Sequence, residues 1–214
     1  MKYVAIPFVL GLLIYSGYLL ALDFAHGQLA VRGYFSDIVT GADYPVLYKT
    51  LFGINTSLSV CLLCGCGLLH LTCTACVSRQ NKGCKFTFFL WSQVAFFAYV
   101  AADERLRIHE WLGAALGIED AWILLLMGGL EFCLLVFVGG VLKQARRTKI
   151  YLLLTVLFFA LMVFVDGFIK PDRPGRLAVE DLLKLWAVVF MFGYAWCYTI
   201  NYLKASDLEG LGND

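Results

Sequence analysis

The stretch Phe86–Glu110, FTFFLWSQVAFFAYVAADERLRIHE, decides the fold. From Phe86 to Ala102 it carries no charged residue. A helix of about 20 apolar residues crosses a hydrocarbon core of roughly 30 Å, so this run is long enough to span a bilayer. It then turns sharply polar, with Asp103, Glu104, Arg105, Arg107, His109 and Glu110 within eight residues. Such a junction is expected where a membrane helix leaves the lipid.

The rest of the chain repeats the first half of this pattern. Hydrophobic residues make up 61% of the 214 and charged residues only 15%, with a mean hydropathy of +0.77. A soluble domain has about a quarter of its residues charged. The excess falls into separate blocks, which predict spans at approximately 3–22, 51–77, 86–103, 121–142, 150–169 and 180–203, with an extracytoplasmic loop at 23–50. The expectation is an all-α integral membrane protein: one membrane domain over 1–214, built as a six-transmembrane-helix bundle. Tyr3–Leu22 reads as a retained span, because the run is long for a signal peptide and no clear small-residue cleavage site follows it. The loop holds turn residues and several aromatics suited to the headgroup region, with a short interfacial helix expected around Pro45–Lys49. Leu112–Asp120 reads as a small-residue turn. The net charge of +1 and the absence of a long basic run exclude a nucleic-acid partner.

Orientation follows from the short loops. Ser78–Lys85 carries Arg79, Lys82 and Lys85, and Lys143–Lys149 carries Lys143, Arg146, Arg147 and Lys149, in both cases without an acid. Short basic loops stay in the cytoplasm, which places both termini there, in an inner or plasma membrane crossed several times. Twelve of the sixteen acids then gather on the opposite side.

On that side, helix ends bring together His26, Asp103, His109, Glu110, Asp166, Glu180, Asp181 and Lys184. Ionisable groups at membrane depth usually face a bundle interior or a wet cavity. Imidazole and carboxylate ligands suit Zn, Fe or Mn, so His26, Asp103, His109, Asp166, Glu180 and Asp181 form a candidate metal set. Glu104 or Glu110 would act as general base and Lys184 would stabilise developing negative charge. The substrate expected there is a membrane lipid or another amphiphile, with hydrolysis as the reaction.

Helical geometry sets a condition on that site. On a straight helix Asp103, Arg107 and Glu110 share a face, whereas His109 lies about 120° from Asp103, and Asp103 and Glu110 are about 10 Å apart along the axis. A shared site requires the helix to end or bend near Ile108. Without that bend, Asp103–Arg107–Glu110 is a charge ladder and Glu180–Lys184 another i, i+4 pair. No H-E-x-x-H or H-x-x-x-H spacing occurs.

Three further features carry weaker signals. Gly53, Ser57, Cys61 and Gly65 form a small-residue stripe suited to a membrane-protein partner, which opens the alternative of a non-catalytic subunit. Glu131, near the middle of its span, opens that of an ion or small-solute transporter. The cysteines of the second span read as small apolar packing residues. Trp111, Trp122, Trp186 and Tyr151 read as interface anchors.

Overall fold

The computed structural model describes residues 2–35, 53–80, 84–170 and 173–211. The elements are α1 (Lys2–His26), α2 (Gln28–Phe35), α3 (Ile54–Gln80), α4 (Cys84–Leu106), α5 (Ile108–Leu116), α6 (Asp120–Cys133), α7 (Arg146–Phe168) and α8 (Arg176–Leu211). A π-turn at Leu134–Val138 prolongs α6, and a 3-10 turn follows at Val141–Lys143. No strand occurs among the described residues.

Five stretches are long and apolar enough to cross a membrane: Ile6–His26, Ile54–Val77, Cys84–Leu106, Ala121–Val138 and Arg146–Phe168. The surface is correspondingly greasy, with Ile14, Leu68, Phe137 and Leu153 exposed, while Asp23, His70, Gln93 and Glu131 are buried. Apolar side chains outside and polar ones inside are the inverse of a soluble core and suit lipid as the surrounding solvent. The chain is a multi-pass membrane protein.

The remaining long helix, α8, is the one the others pack against: it touches α1, α2, α3 and α7. Its buried face includes Ala178, Ala187 and Ala195, small residues that let neighbouring backbones come close where packing drives association. Large rings seat on glycines across the bundle. Phe192 lies against Gly65, Tyr151 against Gly193, Phe159 against Gly128 and Phe89 against Gly139.

The end of the bundle that holds Asp23 and the start of α8 is tied by polar bonds between elements. The buried Asp23 carboxylate of α1 accepts the Ala178 N–H at 3.3 Å, capping the first turn of α8. The Thr56 hydroxyl donates to the Phe35 carbonyl at 2.9 Å, and the Asn55 amide to the Asp181 carbonyl at 3.3 Å.

Several boundaries differ from the sequence reading. The loop expected from residue 23 starts later, because α1 runs to His26 and α2 folds back after Gly27. The Pro45–Lys49 segment lies outside the described residues. The turn expected at 112–120 is helical to Leu116, closed by Gly117 in the left-handed region. The fourth span ends at Val138 rather than 142, since the chain leaves the helix at Gly139–Gly140, the latter at φ 61°. Trp186 and Tyr151, read as interface anchors, also make contacts within the bundle: Trp186 donates to the Ser16 hydroxyl at 3.2 Å, and Tyr151 seats on Gly193.

Gly139 yields a test. A Cβ there would lie 2.5 Å from the fully buried Phe89 ring and 3.0 Å from the Leu135 carbonyl, whereas one at Gly129 would meet nothing within 4 Å. Gly139→Ala is expected to destabilise the bundle by about 1–3 kcal/mol. Gly129→Ala should be neutral or stabilising by about 0.5–1 kcal/mol. Unfolding of both variants in detergent checks the contrast.

Candidate functional site

The site begins with one backbone conformation. Arg107 has φ 55° and ψ 44°, the only non-glycine residue with positive φ among those described. This left-handed residue ends α4 and starts α5 in a new direction, which is the bend that the spacing of Asp103 and His109 demands. Across it, Asp103 holds His109 twice: the His109 backbone N–H donates to Oδ1 at 2.7 Å, and Nδ1 lies 2.8 Å from Oδ2. The first bond also satisfies one of the open N–H groups at the start of α5. Arg107 grips Glu110 through a forked pair, with Nε to Oε1 at 2.6 Å and Nη2 to Oε2.

The carboxylates of the other elements are likewise paired. Arg176, at the start of α8, contacts Asp166 Oδ1 at 2.8 Å and Glu180 Oε2 at 3.1 Å. It also donates to the Ile169 and Asp166 carbonyls, at 2.9 and 3.0 Å, closing the turn between α7 and α8. Lys184 bridges Glu104 on α4 at 3.3 Å and Asp181 at 3.4 Å. Of the Asp103–Arg107–Glu110 ladder the Arg107–Glu110 pair forms, while the left-handed turn takes Arg107 off the Asp103 face and Asp103 pairs with His109. The expected Glu180–Lys184 pair gives way to Glu180–Arg176 and Lys184–Asp181, since an earlier cation is available on the same helix.

These groups border a cavity of about 310 Å³. Its polar wall holds Arg32, Asp103, Glu104, Arg107, His109, Glu110, Asp166, Glu180, Asp181 and Lys184. Its apolar wall holds Leu63, Val100, Leu124, Phe159, Met162 and Val188, drawn from five helices. Eight of the nine anticipated site residues, Glu104 among them, thus share one space, and His26, exposed at the end of α1, does not line it. Arg176 and the Glu104 bridge to Lys184 were not part of the anticipated site. A signal for Arg176 existed: it follows the Pro174–Gly175 turn, which brings it back onto the end of α7.

Among the described residues no three His, Cys, Asp or Glu side chains assemble into a set able to hold a metal. Their oxygens are turned towards guanidinium, ammonium and imidazole groups instead.

His109 carries the acid–base potential. Burial alone would depress its pKa, but the hydrogen bond and charge of Asp103, helped by Glu110, outweigh that and hold the imidazole above its ordinary value. With Nδ1 committed to Asp103, Nε2 is the nitrogen left to serve the cavity.

The matched region is far larger than this cavity. The family model described as a domain of unknown function (DUF8692) matches residues 19–198. The chain belongs to that family. No curated protein and no solved structure matches it. The DUF8692 match takes in every residue that lines the cavity, from Arg32 to Val188.

The imidazole gives a signed pH prediction. A histidine whose folded-state pKa is raised contributes stability in full below its unfolded value of about 6.5 and loses it as pH rises through the folded value. The stability advantage of wild type over His109→Gln should therefore be greatest just below about pH 6.5 and shrink above it. Melting temperatures across that window measure it, and a difference independent of pH would contradict the charged pair.

Proposed function

We propose that the outer cavity is the active site of a membrane enzyme that hydrolyses an ester-like bond in a lipid-like amphiphile. The observation that carries this reading is the Asp103–His109 pair set into the wall of a cavity that is polar on one side and apolar on the other. A headgroup fits the His109–Lys184 side and an acyl chain the Leu63–Val100–Phe159 side. Six spans, with α8 as the sixth and both termini cytoplasmic, would open this cavity to the extracytoplasmic face.

In this mechanism Asp103 fixes the ring and stabilises its cationic form, as an orienting carboxylate does for a general base. Nε2 of His109 takes a proton from water as the water oxygen bonds to the acyl carbon. Lys184, with three N–H donors, stabilises the charge that develops on the carbonyl oxygen. The ester C–O bond then breaks, and the imidazolium returns its proton to the departing alkoxide. Glu110 is held by Arg107, so the base role assigned to it on sequence grounds passes to His109. A Zn, Fe or Mn ion bound by Asp166, Glu180 or Asp181 would compete with Arg176 and Lys184 for the same oxygens, so the chemistry is assigned to side chains.

The test uses purified protein in nanodiscs of phosphatidylcholine and phosphatidylglycerol carrying a labelled acyl chain. Wild type should release labelled fatty acid. His109→Asn should lower turnover by about 10²–10⁴-fold while leaving the fold and lipid retention intact. No release by wild type, or undiminished release by His109→Asn, would overturn the enzyme reading. It would leave the six paired carboxylates as ties between helix ends, the role of a membrane subunit or scaffold.

A further inference from the structure

A second polar site lies away from the outer cavity, in the middle of the bundle. Glu131 on α6 is 4% exposed, and Gln93 on α4 and Tyr194 on α8 are both 0% exposed. The Gln93 amide donates to Glu131 Oε1 at 2.7 Å. The second oxygen of Glu131, the carbonyl oxygen of Gln93 and the Tyr194 hydroxyl are buried and have no hydrogen-bond partner among the described residues. Tyr194 lies within electrostatic reach of Glu131 and shares a cluster with Phe89 and Leu135, which flank the Gln93–Glu131 bond one turn away along each helix.

An ionised carboxylate buried without a cation is costly, and Glu131 has no ion pair among the described residues. A neutral carboxylic acid removes that cost and changes the inventory of the site. The O–H of Glu131 becomes a donor, the Gln93 oxygen is an acceptor, and the Tyr194 hydroxyl is both. One donor, one acceptor and one group of either kind are complementary to a water molecule, and buried waters typically make about three such bonds. The helix carrying Glu131 passes into the π-turn three residues later, and such turns occur frequently at functional sites.

We propose that Glu131, Gln93 and Tyr194 form a proton-holding, water-binding site in the membrane interior, with Glu131 carrying an exchangeable proton at neutral pH. The titratable groups packed around this core are Tyr194, Tyr198 and Tyr202 on α8 and Cys73 on α3, with His70 of α3 stacked on Tyr198; α4 contributes the non-titrating Gln93, and α7 faces α8 with Tyr151. His70 is held by its own helix, with Nδ1 2.9 Å from the Cys66 carbonyl and its ring stacked between Phe97 and Tyr198. It therefore keeps its proton on Nδ1 and leaves Glu131 as the acid of the group.

Infrared spectroscopy of the full-length protein in lipid tests this directly. Wild type at neutral pH should show a carboxylic-acid C=O band that disappears in Glu131→Gln and shifts on transfer to deuterium oxide. Absence of a band that Glu131→Gln removes would show an ionised group and overturn the proposal. A band present but unmoved in deuterium oxide would show a dry structural hydrogen bond and overturn it equally. Gln93→Met, which removes the donor to Oε1, should move the band to higher frequency in a folded protein. An unmoved band in that variant would contradict the site as drawn.

Discussion

Charge at the edge of an apolar bundle has to be compensated where it stands, and the end of this protein that holds the cavity is arranged around that constraint. Burying a lone carboxylate costs several kcal/mol, and each of the six carboxylates lining the cavity has a cation or imidazole within bonding distance. Half of these pairs join different elements. Arg176 fastens α7 to α8, Lys184 fastens α4 to α8, and Asp103 fastens α4 to α5. The pairs are therefore the means by which helix ends find their places as well as the lining of the site. Asp23 does related work on the buried side, lending its carboxylate to the first turn of α8. Lys184 is shared between two acids and also lines the cavity.

The helices were readable from sequence because the bilayer imposes a length and a polarity that few other environments do. Five apolar runs matched helices to within a few residues, and the departures have local causes. Gly139–Gly140 ends α6 early, and Gly117 lets α5 persist through a stretch rich in small residues. The long helix α8 was harder to delimit. Its helical face is interrupted by Glu180, Asp181, Lys184 and Asn201, polar residues that the bundle accepts because α8 lies at its centre. The gathering of Asp103, His109, Asp166, Asp181 and Lys184 could be anticipated from topology, since alternating helices bring the C-terminal ends of α4 and α7 and the N-terminal parts of α5 and α8 to one side. Their pairing could not, because it depends on rotations about helix axes and on two short turns. Arg107 shows this best: no propensity assigns a left-handed conformation to an arginine, yet that one residue decides whether Asp103 meets His109.

The two polar sites differ in how they handle water. The outer cavity is open enough to admit solvent, and its charges are matched by opposite charges. The Gln93–Glu131 core is buried, has no ion pair among the described residues, and leaves one polar atom on each of Glu131, Gln93 and Tyr194 without a hydrogen-bond partner there. A bundle with ion pairs at its rim and a side-chain hydrogen bond at its centre follows the fall in polarity from headgroup to hydrocarbon.

The left-handed turn at Arg107 also imprints itself on the text of the sequence. Because two bonds cross it from one aspartate, the number of residues between Asp103 and His109 is constrained more tightly than their identities. A one-residue insertion would swing the ring by about 100° and lift it from its carboxylate. The natural fingerprint of this architecture is accordingly D-x5-H at the mouth of an apolar run. That interval fits no helical repeat and would pass unnoticed in any search tuned to periodic patterns.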